Sequence, residues 1–84
     1  MFGRRKKKEK IAGLSKGLTV VDNLMTPGLN VQALDQNYGR ADITLKLMEQ
    51  NGEITAMELG AAMVTLNNQY DKLRKEAGLA EFLG

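Results

Sequence analysis

The 84-residue chain has no cysteine, no histidine and no tryptophan, and a single proline. Without cysteine there is neither a disulfide framework nor a thiolate metal site. Without histidine the commonest general base, the usual zinc ligand and the serine or cysteine triad are all missing. The carboxylates are scattered singly along the chain and never fall in a pair suited to acid/base work. No catalytic residue, metal ligand or cofactor-binding motif emerges, and the expectation is a protein that is not an enzyme, has no small-molecule substrate and needs no cofactor.

Long apolar runs are also lacking. Nothing approaches the length that spans a bilayer. The basic start is not followed by the continuous apolar stretch and small-residue cleavage site of a secretory signal. The expected location is cytoplasmic. Small helical hairpins with basic leaders fit the size and style of phage and mobile-element proteins, which would place the chain in a host cytoplasm or a virion.

Charge is present but unevenly spread. The formal net charge of +2 conceals a basic start and an acidic remainder. Residues 1–16 carry seven Lys and Arg against one Glu, a net of +6. Residues 17–84 carry five basic and nine acidic residues, a net of −4. A basic arm on a mildly acidic body is a statement about partners. Arg4, Arg5, Lys6, Lys7, Lys8 and Lys10 are the candidate polyanion contacts, able to bind phosphates without reading bases. Like charges in series, with no apolar periodicity, predict an arm at 1–10 that does not fold by itself. Membrane-surface attachment through residues 1–25 is the alternative, with Phe2 as an apolar insertion beside the basic cluster.

What the chain does have is helical periodicity. Leu34, Tyr38, Ala41, Leu45 and Met48 recur at steps of four and three, and Leu59, Met63, Leu66, Tyr70, Leu73 and Ala77 repeat the pattern. The predicted fold is all-α: a helical hairpin with antiparallel helices over about 30–50 and 55–77. A weaker amphipathic helix over about 8–25 precedes it, on Ile11, Leu14, Leu18, Val21 and Met25. Asn30 stands as N-cap of the first hairpin helix, with Leu29 and Leu34 as its hydrophobic staple. Asn51-Gly52 marks its end. Thr55 and Glu58 form a capping box for the second, with Ile54 and Leu59 as staple. Gly78 is the expected stop, with Leu79 completing the cap and Phe82 and Leu83 folding back.

These signals divide the chain into a basic arm (1–10), an amphipathic segment (11–26), a hinge (27–29) and a hairpin with a short apolar tail (30–84). The hinge rests on Thr26-Pro27-Gly28, because proline disfavours helix before it and glycine permits a turn. Gly13 and Gly17 weaken the first helix, which is expected to cover one side of the hairpin. Counting back from the turn, Met48 should meet Met57, Ala41 should lie near Met63, and Leu34 near Tyr70.

A bare hairpin buries little, so self-association into a larger bundle is expected. Gly60, Ala61 and Ala62 form a low-relief patch where a second subunit could pack. The candidate protein interface is Leu45, Leu59, Gly60, Met63, Leu66, Tyr70 and Phe82. The functional expectation is a small helical interaction or assembly protein that forms a dimer or higher oligomer or docks on a larger protein. A nucleic-acid-binding regulator without sequence preference is the competing reading.

Overall fold

The computed structural model describes residues 14–83, with side chains through Leu79. The basic arm and the predicted helix start near residue 8 lie outside the described residues. Three helices make up the described part: α1 over residues 14–24, α2 over Val31–Gln50 and α3 over Ala56–Leu83. No strand occurs among the described residues.

Each helix boundary traces to named side chains. Asn30 caps α2: its Oδ1 accepts from the Ala33 amide at 2.8 Å, satisfying one of the four donors that a helix start leaves free. At the far end Gly52 takes φ +78° while Asn51 stays right-handed. The Gly52 amide donates to the Glu49 carbonyl at 3.1 Å and the Glu53 amide to the Met48 carbonyl at 2.8 Å. This paired set of bonds is a Schellman motif, and it requires the left-handed residue that glycine supplies without strain. The capping box also forms. Thr55 N donates to Glu58 Oε1 at 2.8 Å, and Glu58 N donates to Thr55 Oγ1 at 3.1 Å.

Gly78 does not stop α3, which continues to Leu83. A helix-interior glycine costs only about 1 kcal/mol relative to alanine, and here Ala77, Leu79 and Ala80 favour helix on both sides. Residues 79–84 include no proline to break the helix, so the expected fold-back of the tail is replaced by further helical turns.

The core runs along the inner faces of all three helices. Val21 and Met25 come from α1 and its end, Leu34, Ala41, Leu45 and Met48 from α2, and Ala62, Leu66 and Leu73 from α3, closed at the turn by Ile54. Fully burying side chains of this size contributes roughly 1.5–3 kcal/mol each. No polar or charged residue is buried among the described residues.

The first helix packs as expected, and the glycine that weakens it in isolation is what lets it close. Gly17 is buried, and a Cβ built there would lie 3.1 Å from the Ala62 Cβ and 3.6 Å from a Leu45 methyl. Alanine there would need its neighbour to give by a few tenths of an ångström, and a side chain larger than alanine would hold α1 away from α3. Asn37 of α2 reaches across to the α1 terminus, donating from Nδ2 to the Leu24 carbonyl at 2.9 Å. That bond satisfies an acceptor that a helix end would otherwise leave open.

Polar contacts between α2 and α3 lie on the side where Tyr38 and Tyr70 meet. Their rings are 4.5 Å apart at 44°. The Tyr38 hydroxyl donates to Asn67 Oδ1 and the Tyr70 hydroxyl to Asp35 Oδ1. Arg74 Nε lies 3.4 Å from the same Asp35 oxygen. A tilted aromatic pair of this kind adds about 0.5–1.5 kcal/mol beyond its buried area.

The Asp35 carboxylate also raises the Tyr70 hydroxyl above its ordinary value of 10.0, chiefly by accepting its proton in a hydrogen bond, then through partial desolvation and the nearby negative charge. A raised folded-state value means the folded chain holds this proton more tightly than the unfolded chain. The associated stability is complete below about pH 10 and is lost as pH rises through the folded value. Urea midpoints followed from pH 8 to 11 are therefore expected to fall less steeply in Tyr70→Phe than in the parent. Identical slopes would mean that the hydrogen bond contributes nothing to stability.

Candidate protein-interaction surface

With the inner face of α3 committed to the core, the residues half a turn away must point outward. Met57, Gly60, Ala61 and Val64 recur at the three- and four-residue spacing of one helix face. Their exposure confirms the direction: Met57 is 86% exposed and Val64 60%, with Gly60 and Ala61 exposed between them. A Cβ added at Gly60 would meet nothing within 4 Å, so the surface here is open and flat. The Thr65 hydroxyl bordering this face turns back to the Ala61 carbonyl at 3.2 Å, which removes a polar group from the outer surface.

Farther along, the same face carries Asn68, Asp71 and Lys75, with Asp71 and Lys75 paired at 3.2 Å. The apolar part is thus confined to the first half of α3, and Leu79 reappears exposed near the end. A comparable but shorter apolar pair, Ile43 and Leu47, lies on the outer face of α2.

The residues singled out in the sequence separate into three groups. Leu45 and Leu66 are completely buried and serve the core of their own chain. Leu59, Met63 and Tyr70 are half-buried and pack against that core. Gly60 is exposed. The small-residue patch is divided, because Ala62 is covered by Gly17 of α1 while Gly60 and Ala61 face outward. Phe82 belongs to α3, but its side chain lies outside the described residues, as do Arg4, Arg5, Lys6, Lys7, Lys8 and Lys10.

Met57 does not meet Met48. Ile54 takes the buried position beside Met48, its amide 3.4 Å from the Met48 carbonyl. Met57, two residues before the seam position Leu59, rotates to the opposite side of the helix. Met57 and Val64 are the surface residues that reading the dominant heptad seam misplaces or passes over, whereas Ala61 already stands in the small-residue patch read from the sequence. Their signal is a second apolar stripe displaced by two residues from Leu59, Met63 and Leu66.

No family model matches the chain, and no curated protein or solved structure shows significant similarity to it.

A shallow groove of about 360 Å³ opens at the other end of the bundle, between residues 26–30 and α3. Leu29, Leu73 and Ala77 form its apolar walls and Glu76 its rim. It lacks the convergent set of polar groups that orients a small ligand. Among the described residues no helix is long and apolar enough to cross a membrane, and no acidic cluster is arranged to hold a metal ion.

Proposed function

We propose that this protein is a small, non-enzymatic helical interaction and assembly module. An antiparallel α2–α3 hairpin, buttressed by α1, presents the outer face of α3 to an apolar helix of a partner, supplied by a second copy or by a larger protein. The basic arm tethers the complex to a polyanion, nucleic acid being the partner best suited to a run of Lys and Arg.

One observation carries this reading. Met57 and Val64, with Gly60 and Ala61 between them, form an apolar stripe on the side of α3 opposite its core. Large exposed side chains flanking small ones give a partner helix both close approach and something to bury. The net of −4 over residues 17–84 disfavours a body helix lying against phosphates, so polyanion contact falls to the arm.

Sedimentation velocity at high micromolar concentration tests the self-associating form. The parent chain is expected to give a discrete oligomer, and Val64→Asp a monomer with unchanged helical content. Two monomers would sink self-association. Repeating the run with mixed DNA at two salt concentrations separates the arm: salt-sensitive binding should require residues 1–10, and binding retained after their deletion would overturn the tethering role.

A further inference from the structure

We propose that α1 is exchangeable between two copies of the chain, with Gly28 as the hinge that decides whether it docks on its own hairpin or on its neighbour's. This goes beyond the outer face of α3 and does not depend on it. The occupant of the face around Leu45 and Ala62 is known from the structure, because the chain's own α1 already covers it. Val21 and Met25 enter the core, and Gly17 seats against Ala62 and Leu45. A second copy's α1 is the same helix with the same fit, so exchange would lose none of these contacts.

What differs between the two forms is the connection. Residues 25–30 join α1 to α2, and the chain reverses there through Gly28 at φ +89°. Pro27 before it fixes its own backbone and restricts Thr26 to extended conformations. A Cβ at Gly28 would meet nothing within 4 Å. A side chain there is therefore opposed only by the left-handed backbone and not by any neighbour. Straightened, the six linking residues span about 20 Å, enough to carry α1 off its own hairpin. An opened linker no longer needs the positive φ, so strain at Gly28 acts against the closed monomer alone. An exchanged dimer would hold two hairpins and two basic arms in one particle.

The test uses the full-length chain with Gly28→Val, Gly28→Ala and Gly28→Asn. An L-residue forced left-handed disfavours the closed form about five- to thirtyfold. Relief at both hinges should tighten dimerisation by on the order of a hundredfold for Val, less for Ala and least for Asn, which tolerates this conformation. Surface dimers are distinguished by cross-linking. Lys16→Cys and Ala61→Cys, both exposed and flanking the Gly17–Ala62 contact, can be joined by a short bis-maleimide in a chain that has no other thiol.

Peptide mapping identifies the link between positions 16 and 61 and tells it apart from any link joining position 61 of two outer faces. Exchange predicts that the 16-to-61 link closes within one chain in the monomer fraction and between chains in the dimer fraction. A Gly28→Val dimer whose 16-to-61 link still closes within single chains would overturn exchange while leaving surface self-association standing. A Gly28→Val or Gly28→Ala chain that stays folded and monomeric up to high micromolar concentration would also overturn it. If Val unfolds the chain, the Ala and Asn pair gives the same comparison at smaller amplitude.

Discussion

A Gly17→Leu chain is expected to lose the docking of α1 while α2 and α3 stay helical. The site has no spare room. A methyl group at residue 17 already comes to 3.1 Å of the Ala62 Cβ and 3.6 Å of Leu45 Cδ2, the first of these tighter than ordinary van der Waals contact. Three further carbons cannot enter without lifting the helix. Lifting it withdraws Val21 and Met25 from the core, and strips one side from Leu45 and Ala62. Two buried side chains of this size represent roughly 3–6 kcal/mol of burial, a large share of the roughly 4–13 kcal/mol expected for a chain of this length.

Amide exchange gives the readout. Protection over residues 14–24 should collapse in Gly17→Leu, while the turns around Leu45 and Leu66 keep part of theirs. A gentler pair isolates the contact itself. Gly17→Ala and Ala62→Gly should each destabilise the chain, the first by crowding and the second by helix propensity. Their combination should recover more than additivity allows, because the methyl group has only changed sides. A coupling of about 0.5–3 kcal/mol is typical of touching residues. Additive effects would mean that α1 does not approach α3 through this pair.

Gly17 also shows why the sequence is only partly legible. In a single helix its meaning is negative, a loss of about 1 kcal/mol relative to alanine. Its positive meaning is close approach to Ala62, far away in sequence, and no local pattern encodes that. Local signals suffice where the chemistry is local. Asn30, the Thr55–Glu58 box and Gly52 each bond within a few residues, and each helix begins or ends there. Gly78 carries the same kind of signal as Gly52, yet α3 runs through it. The neighbouring residues make the difference. After Gly52 the chain must reverse so that Ile54 can close the core, whereas Ala77, Leu79 and Ala80 around Gly78 continue to favour helix.

The candidate surface is less legible than the fold, for a related reason. A heptad seam announces which residues are apolar and periodic, and the first use of such a seam is the chain's own core. Leu45 and Leu66 satisfy that use completely and have no side-chain surface left over. Met57 and Val64 belong to a second, shorter stripe, visible only once the first has been assigned to the interior.

That division sets up the second large effect, which separates folding from association. Leu66→Ala should cost about 2–5 kcal/mol, because a fully buried leucine loses its transfer energy and leaves a cavity that close-packed neighbours fill only in part. Leu66 lies between Ala62 and Leu73 on the inner face of α3, both of them buried as well, so little can relax into the gap. Val64→Ala, two residues away on the same helix, removes a side chain that is 60% exposed, and its stability change should stay within about 0.5 kcal/mol. Urea denaturation of the two variants, run beside sedimentation velocity, gives opposite signatures. Leu66→Ala should lower the unfolding midpoint sharply, and under the proposed self-association its oligomer should weaken only to the extent that folded chain is lost. Val64→Ala should keep its midpoint and weaken association directly. A Val64→Ala chain that unfolds early would mean that the outer stripe is part of the core. A Leu66→Ala chain of normal stability would mean that α3 is rotated about its axis, which would turn Met57 and Val64 inward and remove the candidate surface altogether.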